Sequence, residues 1–458
     1  MSAGLPFVGD LWSALGGDAR DQGRMLVIGT GDLPSVYRVT DLAVASIGAV
    51  GLATSELAST ITDAAPSVAP SVTVDRELAS SWFGAALAPV GWRLPPVWDP
   101  IAGNYRADDG WIRLHTNAPH HRAAALSVLG VRGDVPAVTK AVRRWSGEQL
   151  ESAIVTGGGC AAAMRSREEW LGHPQGRAVA SEALLDWADG EVGPPHVRWR
   201  ATPARPLEGL RVLDLTRVIA GPVATRFLAA LGADVLRVDP PQWQEDALVS
   251  NMTLGKRTAR LDAKRLDGAA TLKRLLQDAD VLVHGYRDGA LDSLGLDAPS
   301  RRRLRPGLVE ASLDAYGFTG PWSGRRGFDS LVQMSSGIAH RGMAWALADE
   351  PTPLPVQALD HATGCLLAAA VIRSLTLLRR DGRGRSVRTS LARVAELLVG
   401  GGELPIDGPL VDRVAPSIPL DTPWGPMRML PQALAVAGSP LHFARGPVPL
   451  GAGPARWL

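Results

Sequence analysis

A doubly wound α/β fold on a mostly parallel sheet is what the second half of this sequence predicts, and two observations predict it. Short β-branched apolar runs alternate with helical stretches from residue 207 onward. A proline-rich segment, VGPPHVRWRATPARP at 192–206, separates them from the first half. The run LRVLDL (210–215) suits a buried parallel strand. After Ala220-Gly221-Pro222, residues 223–232 read as a helix closed by Gly232. ADVLRV (233–238) is a second strand, 267–277 a helix, DVLVH (280–284) a third strand and 308–313 a fourth. Residues 361–380 form a long helix, apolar until its closing arginines. DGRGR (381–385) then turns the chain into a strand, SVRTSL (386–391). Such sheets bind ligands at the carboxyl ends of their strands, so the loops 216–222, 239–244 and 285–289 form the expected binding edge.

The first half divides differently. Residues 91–191 predict a small α+β domain, with a hairpin over 104–114 around Asp108-Asp109-Gly110, helical sequence at 120–129 and 138–154, and a short helix at 165–171. Residues 1–90 hold a degenerate partial copy of the second half. VGDLWSALGG around Asp10 matches GFDSLVQMSSG around Asp329, and VTDLAVASIGAVGLA around Asp41 matches ALDHATGCLLAAAVI around Asp360. Both pairs of aspartates lie 319 residues apart. VTVDRELASSWF (72–83) matches VRTSLARVAELL (387–398) at nearly the same offset. Three blocks in one order predict a partial internal duplication. The expected map is a partial copy at 1–90, the small domain at 91–191, a linker at 192–206, and a large domain with its C-terminal tail at 207–458.

A formal charge of +2 gives no ground for a nucleic-acid or membrane-surface protein. The run Arg301-Arg302-Arg303 with Arg305 reads as a solvated helix face. No basic stretch leads into an apolar one at the N-terminus, and no run of eighteen uncharged apolar residues suggests a membrane span. Cys160 and Cys365 stand far apart in small-residue stretches and read as packing residues in a reducing compartment, without disulfide or metal site. A cytoplasmic location is expected. Gly29-Thr30-Gly31 does not complete a dinucleotide fingerprint, and no P-loop or nucleophile elbow is present.

The segment LEGLRVLDLTRVIAGPVATRFLAALGADVLRVDPP resembles the opening of a family III (CaiB/BaiF-type) CoA-transferase. LGKRTARLDAKRLDGAATLKRLLQDADVLVHGYRDGALDSLGL, RPGLVEASLDAYGFTGPWSGRRGFDSLVQMSSG and the block from Asp360 through DGRGRSVRTSL follow in that family's order, covering nearly all of 207–395. In the first half, YRADDGWIRLHTN and TGGGCAAAMRSREEWLGHPQG are similar to the family's small domain. The resemblance implies a Rossmann-like large domain with a smaller α+β domain. It also implies transfer of CoA from an acyl-CoA thioester to a carboxylic acid, with CoA as substrate and no tightly bound cofactor. Family members assemble as dimers, so a homodimer, or a pseudo-dimer within one chain, is expected.

On that resemblance Asp360 is the carboxylate nucleophile. Asp before a long helix is also an ordinary N-cap, and the ordered motifs around Asp360 are what favour catalysis. Asp41, its counterpart, reads as a relic cap. The resemblance places CoA contacts on Val218, Ile219, Ala220, Gly221, Arg237, Lys256, Arg257, Gly285, Tyr286, Arg287 and Arg326. Small residues there admit the ligand backbone and cations meet phosphates. Two departures stand out. Ser293 occupies a position where the family commonly has arginine, which removes one phosphate contact. Phe328 occupies the place of the histidine used by related 2-methylacyl-CoA racemases. Phenylalanine exchanges no proton, which counts against an isomerase or racemase. His340 and His361 read as ordinary polar residues. A non-catalytic CoA-binding subunit is the alternative of another class.

Overall fold

A computed structural model describes residues 5–62, 69–194, 196–287, 289–404 and 417–458. Its main sheet has seven strands: β1 (Asp186–Val192), β2 (Arg211–Leu215), β3 (Asp234–Asp239), β4 (Arg257–Arg260), β5 (Val281–His284), β6 (Val309–Asp314) and β7 (Arg383–Ser390). They lie in the order β4-β3-β2-β5-β6-β7-β1. All neighbours are parallel except β1, which runs antiparallel to β7. Strand β5 is buried along its length, and β2 apart from its first residue, so their buried residues are apolar but for Asp214 and His284.

The expected strands at 210–215, 233–238, 280–284 and 308–313 appear as β2, β3, β5 and β6. Three expectations change. The turn at 381–385 is shorter, because β7 starts at Arg383 and pairs with β1 across a bulge. Residues 186–192, read as the end of the small domain, are a strand of the large sheet. Their sequence, DWADGEV, lacks apolar alternation because an edge strand needs only one ladder and keeps most side chains in solvent. The stretch 138–154 divides into Val135–Val142 and Gly147–Thr156, with the Ser146 hydroxyl accepting from Gln149 N–H at the break. At the other edge of the sheet, Ala259 of β4 is bridged by Gly453 of the C-terminal tail.

Two long helices, Val39–Ile61 and Ala358–Asp381, occupy the centre of the core. Both are long and apolar enough, by length and composition, to cross a membrane, and 94% of each apolar window is buried inside the protein. They are apolar on every side because every side is covered. Each packs on the other more extensively than any other helix pair among the described residues. A second small sheet joins Met25–Ile28, Val72–Asp75 and Leu434–Val436, so the tail of the second half is built into the first. The small domain has its own sheet (Gly103–Arg106, Trp111–Leu114, Ala161–Ala163) and its own core around Ile112, Leu150 and Ile154.

Candidate active site

The sheet reverses its winding between β2 and β5: the chain runs outward from β2 through β3 to β4, then from β5 through β6 the other way. A cavity of about 810 Å³ opens at the carboxyl ends of these strands, lined by Thr216, Asp239, Gly285 and Asp314, where doubly wound sheets hold their ligands. Asp360 forms part of its wall.

The geometry around Asp360 follows from the helix start. Helix Ala358–Asp381 begins three residues earlier than the apolar pattern suggests, which makes Asp360 its third residue. There its carboxylate sits beside backbone N–H groups that the helix cannot satisfy internally, and the helix dipole favours negative charge. One of those N–H groups is taken by a side chain that the sequence reading passed over: Asp360 N–H donates to Asp329 Oδ2 at 2.9 Å. The other oxygen of Asp329 accepts from Gln333 Nε2, and Gln333 Oε1 in turn accepts from Leu354 N–H at 2.7 Å. Asp329 is fully buried and Asp360 7% exposed. Burial pushes the Asp329 carboxyl up to about 6. Burial, and then the charge of Asp329, raise Asp360 well above the usual carboxylate range. Two carboxyl groups in one dry site cannot both ionise cheaply, and they titrate as a pair.

The loop after β2 approaches the same cavity, with Val218, Ala220 and Gly221 in its wall. Val218 has φ 66°, a left-handed conformation that a β-branched residue adopts only under constraint. The constraint is visible: Val218 N–H donates to Glu245 Oε2 at 3.0 Å, and the same oxygen accepts from Trp243 Nε1. Gly221 cannot be larger, since a Cβ there would lie 2.2 Å from the Thr216 side chain. Ile219 is buried behind the loop and does not reach the cavity.

Gly285, Tyr286, Arg287 and Arg326 also line the cavity. Besides Ile219, three of the expected CoA contacts do not. Arg237 is fully buried, with Nε 2.9 Å from Asp239 Oδ2 and Nη2 2.7 Å from Glu245 Oε1, so its charge braces the Glu245 that holds Val218. Lys256 is fully buried, with Nζ 3.0 Å from Asp214 Oδ2 and donating to Pro222 O at 2.9 Å. Arg257 pairs with Asp234 at the amino end of β3, away from the strand ends that hold the cavity. The reason is common to all three: an arginine or lysine reaches the ligand edge only if its strand position and side-chain face allow, and neighbouring carboxylates claim the others.

Other residues of the wall were not among the expected contacts. Arg217 lies between the rings of Trp243 and Tyr286, 5.3 and 5.2 Å from their centroids, and donates to the Tyr286 hydroxyl at 3.0 Å. Ser293 lines the cavity too, and Lys264 is nearby in the same wall. From the small domain come His120 and His121, so that domain covers the Asp360 cavity within the same chain. Burial pulls His121 down to about 4 and His115 to about 3, leaving both imidazoles neutral at pH 7. Phe328 lines the cavity and stacks flat on His115 behind it, with centroids 3.7 Å apart. His361 is buried against Phe83 and is likewise held neutral by burial.

Asp41 takes the same third position in its helix but meets different surroundings. Arg76 Nη1 lies 2.7 Å and Arg38 Nη1 3.3 Å from its oxygens, and Arg76 also pairs with Asp32. Asp41 is absent from the cavity wall. Asp41→Asn is expected to cost about 1–3 kcal/mol in chemical denaturation, from the broken buried hydrogen-bonded pair, with turnover per folded molecule unchanged.

Residues 207–402 match the model of CoA-transferase family III. A succinate–glutarate CoA-transferase of Agrobacterium fabrum is 32% identical over 212 residues, which is 41% of this chain and 52% of that protein. A succinyl-CoA:glutarate CoA-transferase of mouse is 32% identical over 200 residues, 41% of this chain and 45% of that protein. Among solved structures, a CAIB/BAIF family protein from Brucella suis is 27% identical, with a TM-score of 0.38, covering 49% of this chain and 65% of the other. The chain spans about half the length of the curated relatives it matches. Its α/β architecture and the ordered motifs of the second half agree with the match of residues 207–402 to CoA-transferase family III.

Proposed function

We propose that this protein transfers CoA from an acyl-CoA thioester to a carboxylic acid, with Asp360 as the covalent carrier. The observation that carries this is one buried carboxylate, set in the first turn of a 24-residue helix, opening onto a cavity of about 810 Å³ at the switch point of the sheet. Ionised Asp360 attacks the thioester carbonyl, and the C–S bond breaks to give an aspartyl mixed anhydride and CoA thiolate. The thiolate attacks the aspartyl carbonyl, releasing the donor acid and leaving an aspartyl-CoA thioester. The acceptor carboxylate attacks that thioester, freeing the thiolate again. The thiolate then attacks the acyl side of the new anhydride, which yields the new acyl-CoA and regenerates Asp360. Every step exchanges one acyl bond for another, so the thioester free energy is kept. The dipole of the helix that starts at Ala358 favours the negative charge that develops at each attack. The CoA chain would run past Val218–Gly221 toward Tyr286 and Arg217.

The test is hydroxylamine trapping after incubation with a panel of acyl-CoA thioesters, read by peptide mass spectrometry. An aspartyl hydroxamate at Asp360, absent from Asp360→Asn, supports the proposal. CoA binding without an adduct from any thioester would sink it and favour a CoA-binding subunit.

The pH dependence follows from the pair of carboxyl groups. Attack needs the ionised form, and burial with Asp329 nearby favours the protonated one. In the free protein kcat/KM is therefore expected to rise with pH, through and above pH 6. Asp329→Asn removes the neighbouring charge, so that limb should move to lower pH. A limb that stays in place would show that Asp329 does not act on Asp360.

A further inference from the structure

Helices Val39–Ile61 and Ala358–Asp381 begin 319 positions apart in the chain and are neighbours in space. The same interval governs their contacts. The Cys365 thiol is hydrogen-bonded with the Ser46 hydroxyl, and the Arg379 guanidinium donates to Thr60 O at 3.3 Å. Both pairs are 319 residues apart. Between them, Arg373 and Arg380 reach Glu56 from either side of Leu375, the residue that corresponds to Glu56. Corresponding positions that touch at two separate levels along two helices fix a parallel, in-register packing. That is the contact an element makes with its own copy across a two-fold axis.

The surroundings repeat as well. The residues before the two helices have nearly the same backbone, φ −74° and ψ 57° at Arg38 and φ −75° and ψ 66° at Gln357. Each helix is followed by a strand, Val72–Asp75 or β7, with one parallel and one antiparallel neighbour. Each strand ends on a residue whose side chain caps the next helix. Asp75 accepts from Leu78 N–H and Ser390 from Arg393 N–H. The copies differ where the chemistry would lie. Asp329 braces the start of the second helix, whereas its counterpart Asp10 is exposed, and Asp41 is held by Arg38 and Arg76.

We infer that residues 8–61 and 72–82 are an in-chain counterpart of the Asp360-bearing core, related to it by a local two-fold axis, with Asp41 marking a second centre that ion pairing has closed. The apolar helix 358–381 thus finds its partner within its own chain, and one open carboxylate serves two copies of the core.

The test places thiols at the corresponding surface positions, Thr60→Cys with Arg379→Cys. A short bis-maleimide is applied to dilute protein at pH 7. The native cysteines do not compete, since both are buried and burial pushes their thiols up to about 12. The expected product has the mass of one chain and, after digestion, a peptide containing position 60 joined to one containing position 379. A product of twice the mass would place the pairing between chains and overturn the inference. So would two singly modified thiols with none joined. Glu56→Cys with Arg380→Cys gives an independent pair should the first variant fold poorly. The readout involves no catalysis, so its outcome is separate from that of the transferase proposal.

Discussion

Asp360→Asn is expected to lower turnover by roughly 10³–10⁶-fold and, at pH 8, to make the protein more stable. The loss follows because an amide cannot form the anhydride, while the cavity and the bracing Asp329 remain. The gain follows from linkage. An aspartate whose folded pKa is raised above its unfolded value binds more protons in the folded state. Stability therefore falls as pH rises from the unfolded value, near 3.8, to the raised one. Asp329 adds the same sign between 3.8 and about 6. Over that range the wild type loses stability that Asn, with no such proton to release, keeps. Thermal scans at pH 4 and pH 8 should show Asp360→Asn gaining most at the higher pH, by about 0.5–2 kcal/mol, the usual range for relieving a strained functional site. A variant less stable than the wild type at pH 8 would mean that Asp360 makes stabilising contacts in its ionised form.

Lys256→Met is expected to be strongly destabilising. Lys256 Nζ sits 3.0 Å from Asp214 Oδ2, and both side chains are fully buried. Asp214 also accepts from Thr216 N–H at 2.9 Å and from the Thr216 and Thr225 hydroxyls. Burial pulls the Lys256 ammonium down to about 8, with Asp214 opposing, and burial acts against the ionised Asp214 while Lys256 and Arg237 outweigh it. The pair is thus ionised at pH 7. Removing the cation alone leaves a buried charge, at a cost of about 3–5 kcal/mol. Chemical denaturation should show that loss, and Lys256→Met combined with Asp214→Leu should recover most of it. The single variant should also weaken CoA binding, because Lys256 holds Pro222 O and Asp214 holds Thr216, the two ends of the loop that carries Val218. Equal losses in the single and double variants would show that the loop needs the charges themselves.

Much of the fold was legible in the chain. The strand sequences VLDL and VLVH are apolar because they are covered on both faces. Gly221 is glycine because Thr216 leaves no room for a Cβ, and the spacing of 319 residues shows in the sequence before any contact is known. Strand β1 was not legible. An edge strand needs backbone partners but no apolar face, so DWADGEV looks like loop.

The candidate site divides in the same way. Sequence by itself determined the architecture of the second half, the loops at its ligand edge and the position of Asp360 at a helix start, because these depend on local periodicity and ordered motifs. It could not determine which cations reach the ligand. Arg237, Lys256 and Arg257 read as phosphate contacts in a linear text, and each is claimed by a carboxylate brought in from elsewhere: Glu245, Asp214 and Asp234. Nor could it show that Asp329 braces Asp360, that His120 and His121 come from another domain, or that Arg76 closes over Asp41. Those outcomes were decided by tertiary structure alone. Charge pairing and burial act through space, and the partners that settle a side chain's role are set by packing and not by their distance along the chain.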